Sequence, residues 1–124
     1  MRSLRTLFLF FIGASSTAVQ AEQDIVRMFA TCTGRFSAQM EHEWLMGDPA
    51  AQTSEAERGA MIGLLEAVLP SHDGRQVLSW RIEAKHAQST LLTRATFNED
   101  EQDASWARSR AIAEISSCRG LLLS

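Results

Sequence analysis

From Glu22 onward the apolar residues recur at steps of three and four, and no segment alternates apolar with polar residues for the length of a strand. Steps of three and four return side chains to one face of an α-helix, whereas a half-buried strand repeats every two. The chain is thereby confined to all-helical folds. Ile25, Phe29, Cys32, Phe36 and Met40 predict a first helix over 22–46, which Gly47-Asp48-Pro49 ends. A second is expected from Pro49 or Ser54 to Leu69, with Ser54-x-x-Glu57 as a capping box and Ala60, Met61, Leu64, Leu65 and Val68 on its inner side. Pro70 stops it. The third follows Ser71-His-Asp-Gly74 and runs to Phe97 with Val77, Trp80, Ala84, Ala87, Leu91 and Ala95 along one stripe. Asn98-x-x-Glu101 then caps a fourth, running to about Leu121 and burying Ala104, Ala107, Ala111, Ile115 and Cys118. Its acidic start, Glu99-Asp-Glu-Gln-Asp103, complements the positive end of a helix dipole and lacks the central glycine of a calcium loop.

Four helices joined by short loops most simply make an up-down-up-down four-helix bundle. The two cysteines agree with that topology. Cys32 falls in the first third of helix one and Cys118 near the end of helix four, places that such a bundle brings to the same end. One disulfide between them would close a loop of about 85 residues and stabilise by on the order of 4 kcal/mol in the chain-entropy model. A redox-active pair is the alternative, but redox enzymes usually set their cysteines close together as Cys-x-x-Cys.

Residues 1–21 have the form of a cleaved signal peptide. Arg2 and Arg5 provide a positive start, Thr6–Ala14 an apolar run too short to span a bilayer, and Val19-Gln20-Ala21 compact side chains for cleavage after Ala21. No cysteine follows the run closely and there is no twin arginine, so ordinary export to the periplasm or the outside is expected, with 22–124 as a single helical domain. Export in turn favours the disulfide. Cleavage removes two arginines and no acid, so the whole chain's net charge of −3 becomes about −5. An acidic balance argues against nucleic acid and anionic membranes as partners, and no stable membrane insertion is expected once the signal is removed. Hydrophobic residues at 45% and charged residues at 22% exclude a disordered tail.

The topology sorts the remaining residues into two ends. Phe29, Cys32, Val77, Trp80 and Cys118 form an apolar end, while Trp44, Phe97 and Trp106 gather at the other. At about 100° per residue Glu43 shares the face of Cys32 and Phe36, Glu57 lies on the apolar side of helix two, and Arg108 lies near the stripe of helix four. A carboxylate aimed at a core is costly unless paired, so a Glu43–Arg108 contact is expected, joined by Glu57 or Arg94. It reads either as a structural ion pair or as a small polar pocket rimmed by Trp44 and Trp106, where Arg108 receives an anionic ligand.

Metal and catalytic signatures are weak. Of His42, His72 and His86, the last belongs to Glu83-x-x-His86, which matches one half of a carboxylate-bridged di-metal motif, but His86 should face water. His42 and Met46, one turn apart, are weak candidates for copper, and Met40 points away from them. There is no Gly-x-Ser-x-Gly elbow, His-Glu-x-x-His or glycine-rich phosphate loop, and neither catalysis nor a cofactor is expected. Leu78 and Ile82 lie opposite the helix-three stripe, and Leu45 points away from the core face of helix one; the Leu78/Ile82 pair is a candidate partner surface.

The segments Ala30-Thr-Cys-Thr-Gly-Arg-Phe-Ser-Ala38, Glu43-Trp-Leu45 and Leu91-Leu-Thr-Arg-Ala-Thr-Phe97 resemble those of small exported helical proteins of alphaproteobacteria. The resemblance spans most of the chain after Ala21. It implies export and a helical fold, and transfers no activity and no functional residue. The expected function is therefore a non-catalytic exported bundle that binds a protein or a small ligand, with a metal-handling or anion-sensing bundle as the alternative.

Overall fold

The computed structural model describes residues 16–71 and 73–124. Among them the fold is all-helical: α1 (Ser16–Leu45), α2 (Ala51–Val68) with a 3₁₀ turn over Leu69–Ser71, α3 (Gly74–Phe97) and α4 (Glu101–Leu122). His72 and residues 1–15 lie outside the described residues, and the expected cleavage point after Ala21 falls within α1. No described helix is long and apolar enough to cross a membrane.

Each boundary has a local cause. At the end of α1, Gly47 takes φ +67°, Asp48 N–H donates to the Glu43 carbonyl and Gly47 N–H to that of Trp44, the bonding of a glycine-terminated Schellman cap. The turn into α2 then forms around Asp48, whose Oδ1 accepts from Ala50 N–H at 2.9 Å. Ser54 is consequently inside the helix, buried and without a hydrogen-bond partner for its hydroxyl, and the Ser54–Glu57 capping box is not made. Asp73 caps α3 by accepting from Arg75 N–H. Asp100, not Asn98, caps α4 through the N–H groups of Gln102 and Asp103, while Asn98 Oδ1 accepts from Asp100 N–H.

α1 is the central element. Phe36 joins Cys32, Met61, Ile115 and Cys118 in one apolar cluster; Val26, Ala30, Leu65 and Val77 form a second, and half-buried Phe29 touches both. The five expected α4 residues are all buried, but on the other helices the stripe is displaced. Val26 is buried where Ile25 was expected, and Ala60, Leu64 and Ala87 are exposed, while Gln88 and Leu92 enter the α3 core. Periodicity fixes an angular face, and the neighbour that covers it decides which edge of that face is sealed.

Along α3 the pairings advance in step with α1: Arg27 lies over the Trp80 ring, Gly34 abuts Arg81 and Lys85, Gln39 reaches Gln88, and His42 reaches Thr96. At Gly34 the backbones nearly touch. A Cβ there would overlap the Arg81 carbonyl oxygen and lie 2.9 Å from Lys85 N, so glycine is required by this approach. α4 packs against α3 and is tied to α1 by the Cys32–Cys118 disulfide, with Cα atoms 5.4 Å apart, and by an Arg35–Glu114 ion pair.

Candidate functional site

Between α1, α3 and α4 lies a cavity of about 370 Å³, partly open to solvent. Gln39 and Glu43 line it from α1, with Ala50 from the following turn; Leu92, Ala95 and Thr96 from α3; and Arg108, Ala111, Ile112, Ile115 and Arg119 from α4. α1 supplies its acid because Glu43 falls one turn on from half-buried Gln39 and two turns on from the core residue Phe36, just before the Gly47 cap.

Glu43 is the unusual member of this wall. Only 6% of it is exposed, Oε1 accepts from Gln39 Nε2 at 2.8 Å, and Oε2 has no hydrogen-bond partner. The expected Glu43–Arg108 bond is not made. Arg108 instead donates through Nη2 to the Ala95 carbonyl at 3.0 Å, and no ion pair engages it among the described residues. It also borders a second, polar cleft with Asn98, Glu101 and Ser105. The two other expected members are committed elsewhere. Both Glu57 oxygens accept from Arg119, at 2.8 and 3.1 Å, and Arg94 forms a two-bonded pair with Asp103, at 3.2 and 2.5 Å.

Arg119 explains why the expected pairing changed. The disulfide pins Cys118, and the next residue reaches across to the α2 carboxylate. Its hydrogen bonds with Glu57 hold the guanidinium pKa above its ordinary value; burial opposes this, and the charges of Glu57 and then Glu43 add to it. Glu43 thus acts on Arg119 through its field while that cation is bonded to another acid.

The aromatic residues do not rim the cavity. Trp44 is 52% and Trp106 56% exposed, and neither is in its wall; Trp106 carries the Arg94 guanidinium over its ring at 5.2 Å. His42 Nε2 lies 3.1 Å from Thr96 Oγ1, while Met46 falls beyond the end of α1, and no cluster of three or more His, Cys, Asp or Glu side chains is placed to hold a metal among the described residues. His86 is exposed, as expected. Leu78 (53%) and Ile82 (58%) are also exposed and line a shallow groove with Arg58, Arg81 and the Lys85–Glu41 pair, whereas Leu45 stands alone at the end of α1.

Three contributors escaped the sequence reading: Gln39, Gln88 and Arg119. Gln88 is fully buried and donates to the Ala111 carbonyl at 3.1 Å and to Gln39 Oε1, joining α3 to α4 and α1, while its own Oε1 is unpartnered. The signal available for it was an amide one turn from both Ala84 and Leu92, inside an otherwise apolar face. Comparison with protein-family models, curated proteins and solved structures finds no match for the chain.

Proposed function

We propose that this chain is a small exported, non-catalytic helical bundle that holds a small organic ligand in the cavity among α1, α3 and α4. The observation that carries the reading is the Glu43 carboxylate, nine-tenths buried in the wall of a 370 Å³ cavity with one oxygen unbonded. Leaving such an acceptor unmet costs folding free energy, about 1–3 kcal/mol or more for a charged group, and a ligand that donates to it recovers that cost on binding. The volume lies at the lower end of small-molecule pockets.

Three observations support the rest of the reading. Among the described residues, 17–25 are exposed and the buried core begins at Val26, so the expected cut after Ala21 falls in an exposed stretch. A disulfide is the bond of an oxidising compartment, periplasmic or external. The pairings of α1 with α2, Phe36 with Met61 and Ser37 with Arg58, together with those of α1 with α3, favour the up-down-up-down order. Kinship with the small exported helical proteins of alphaproteobacteria belongs to the same proposal.

Native mass spectrometry of the disulfide-bonded protein recovered from its export compartment tests the reading. The expected spectrum is a chain starting at Glu22, two hydrogens lighter than its reduced mass, carrying a non-covalent organic adduct that Glu43→Gln and Arg108→Ala each diminish. A spectrum without an adduct, or one that both variants leave unchanged, would sink it. A metal adduct lost in His42→Ala would move the function to metal handling.

A second reading, protein docking, has the Leu78/Ile82 pair in its favour, since two large apolar side chains stand exposed beside Arg58 and Arg81. Its test is a partner cross-linked to the wild type and lost from a folded Leu78→Ser/Ile82→Ser variant.

A further inference from the structure

We infer that the ligand of this cavity is a zwitterion, an ammonium and a carboxylate carried on an aliphatic body, of the kind an apolar α-amino acid presents. The inference rests on the cavity reading above and specifies its chemistry.

The wall holds three charged side chains, and among the described residues two of them have no ion-pair partner. The charge of Arg119 is matched by Glu57, whose two oxygens take two of its five N–H groups. The remaining pair, Glu43 and Arg108, would neutralise each other if they met, yet each is held apart by a neutral group: Glu43 by the Gln39 amide and Arg108 by the Ala95 carbonyl. One wall therefore carries an uncompensated carboxylate oxygen and a guanidinium with donors to spare, since Arg108 has five N–H groups and commits one to Ala95.

Charge decides the ligand class. A simple anion on Arg108 would stand near a buried, like-charged Glu43 and leave its oxygen unmet; a simple cation on Glu43 would face Arg108 and Arg119. A molecule bearing both charges matches each group: Glu43 is the buried one, for which an unpaired charge is costly, and Arg108 reaches the same wall from an exposed position. Apart from Gln39 and Thr96 the rest of the wall, with Leu92, Ile112 and Ile115 prominent, is aliphatic, so the body between or beyond the two charges is expected to be apolar. Arg108 suits the carboxylate because its planar donors match two oxygens, and Glu43 suits an ammonium, which donates and cannot accept.

The experiment uses three probes that share one aliphatic skeleton: L-leucine, its decarboxylated analogue isopentylamine, and its deaminated analogue 4-methylpentanoate. Each is titrated into the disulfide-bonded protein while backbone amide shifts are followed by NMR. Leucine is expected to move the amides of Glu43, Ala95 and Arg108 and to bind at least tenfold more tightly than either analogue. Glu43→Gln is expected to weaken leucine tenfold or more while leaving 4-methylpentanoate equal or stronger, and Arg108→Ala to weaken leucine and leave isopentylamine equal or stronger. If either analogue binds as tightly as leucine, the cavity is a ligand site but the zwitterion inference is overturned. If none of the three moves these amides at millimolar concentration, the inference falls on its own, and the adduct measurement decides the cavity reading separately. The amide spectrum of each variant without probe shows directly that it is folded.

Discussion

α1 meets its two later neighbours by opposite means. Against α3 it brings backbone to backbone, with Gly34 under the Arg81 carbonyl and three side-chain pairings along the seam. Against α4 it has little direct packing, and the gap is spanned by a covalent bond, an Arg35–Glu114 ion pair and the Gln88 amide, with the cavity opening beside them. The first contact is a seam in which the backbones meet at Gly34; the second is a set of discrete ties around a space. A bundle of this size can thus keep one face imperfectly filled because a cross-link, not packing, holds it closed.

That contrast can be broken at its strongest tie. Replacing Cys32 and Cys118 together by serine is expected to cost about 4 kcal/mol of stability, read as a lower midpoint in urea unfolding, with α4 amides losing hydrogen-exchange protection before those of α1 and α3. Equal loss along all helices would mean that α4 needs no tie. The seam is attacked by Gly34→Ala, where the added methyl must push two helix backbones apart; overpacking of this kind costs about 1–3 kcal/mol, against a gain of under about 1 kcal/mol from helix propensity. A thermal melt that rises in this variant would refute the close approach.

On the cavity side the expected sign reverses. Glu43→Met removes a buried acceptor with an unmet oxygen and keeps similar volume, so the empty protein is expected to gain about 1 kcal/mol while ligand adducts disappear. A destabilised Glu43→Met would place Glu43 among the structural ties. The smallest effect is the surface clamp between α3 and α4. Hydrogen bonding to Arg94 holds the Asp103 carboxyl below its usual pKa; burial opposes this, and the Arg94 charge and the Asn98 amide add to it. A lowered folded pKa stabilises the fold at pH above the unfolded carboxyl value, and that contribution disappears as the pH falls through the folded value. The gap in melting temperature between wild type and Asp103→Asn is accordingly expected to be present at pH 6, to begin shrinking near pH 4 and to go on shrinking as the pH falls further. A gap of the same size at every pH from about 6 down to about 2 would give Asp103 a role other than this ion pair.

Much of the fold was legible because helices announce themselves locally. The α4 stripe was correct at Ala104, Ala107, Ala111, Ile115 and Cys118, the cysteine pairing was correct, and Glu43 was correctly set on the core face of α1. The site itself was legible only in part. Glu43 and Arg108 do share one cavity wall, but the bond expected between them required knowing that Gln39 and the Ala95 carbonyl lie closer. Trp44 and Trp106 do not rim the pocket as expected: each is more than half exposed, and Trp106 instead carries the Arg94 guanidinium over its ring.

The sequence by itself determined the number of helices, their lengths within a few residues, the face of α4 that is buried and the cysteine pair, since each follows from spacing within one segment or from there being only two cysteines. Which helices touch was decided only by the tertiary structure. Gly34 is one glycine among seven until α3 lies on it, and Arg119 is one cation among twelve until the disulfide delivers it to Glu57. The physical reason is range: backbone hydrogen bonding and apolar periodicity act over one turn, while a buried charge finds its partner across the fold, where nearby amides and carbonyls compete for it.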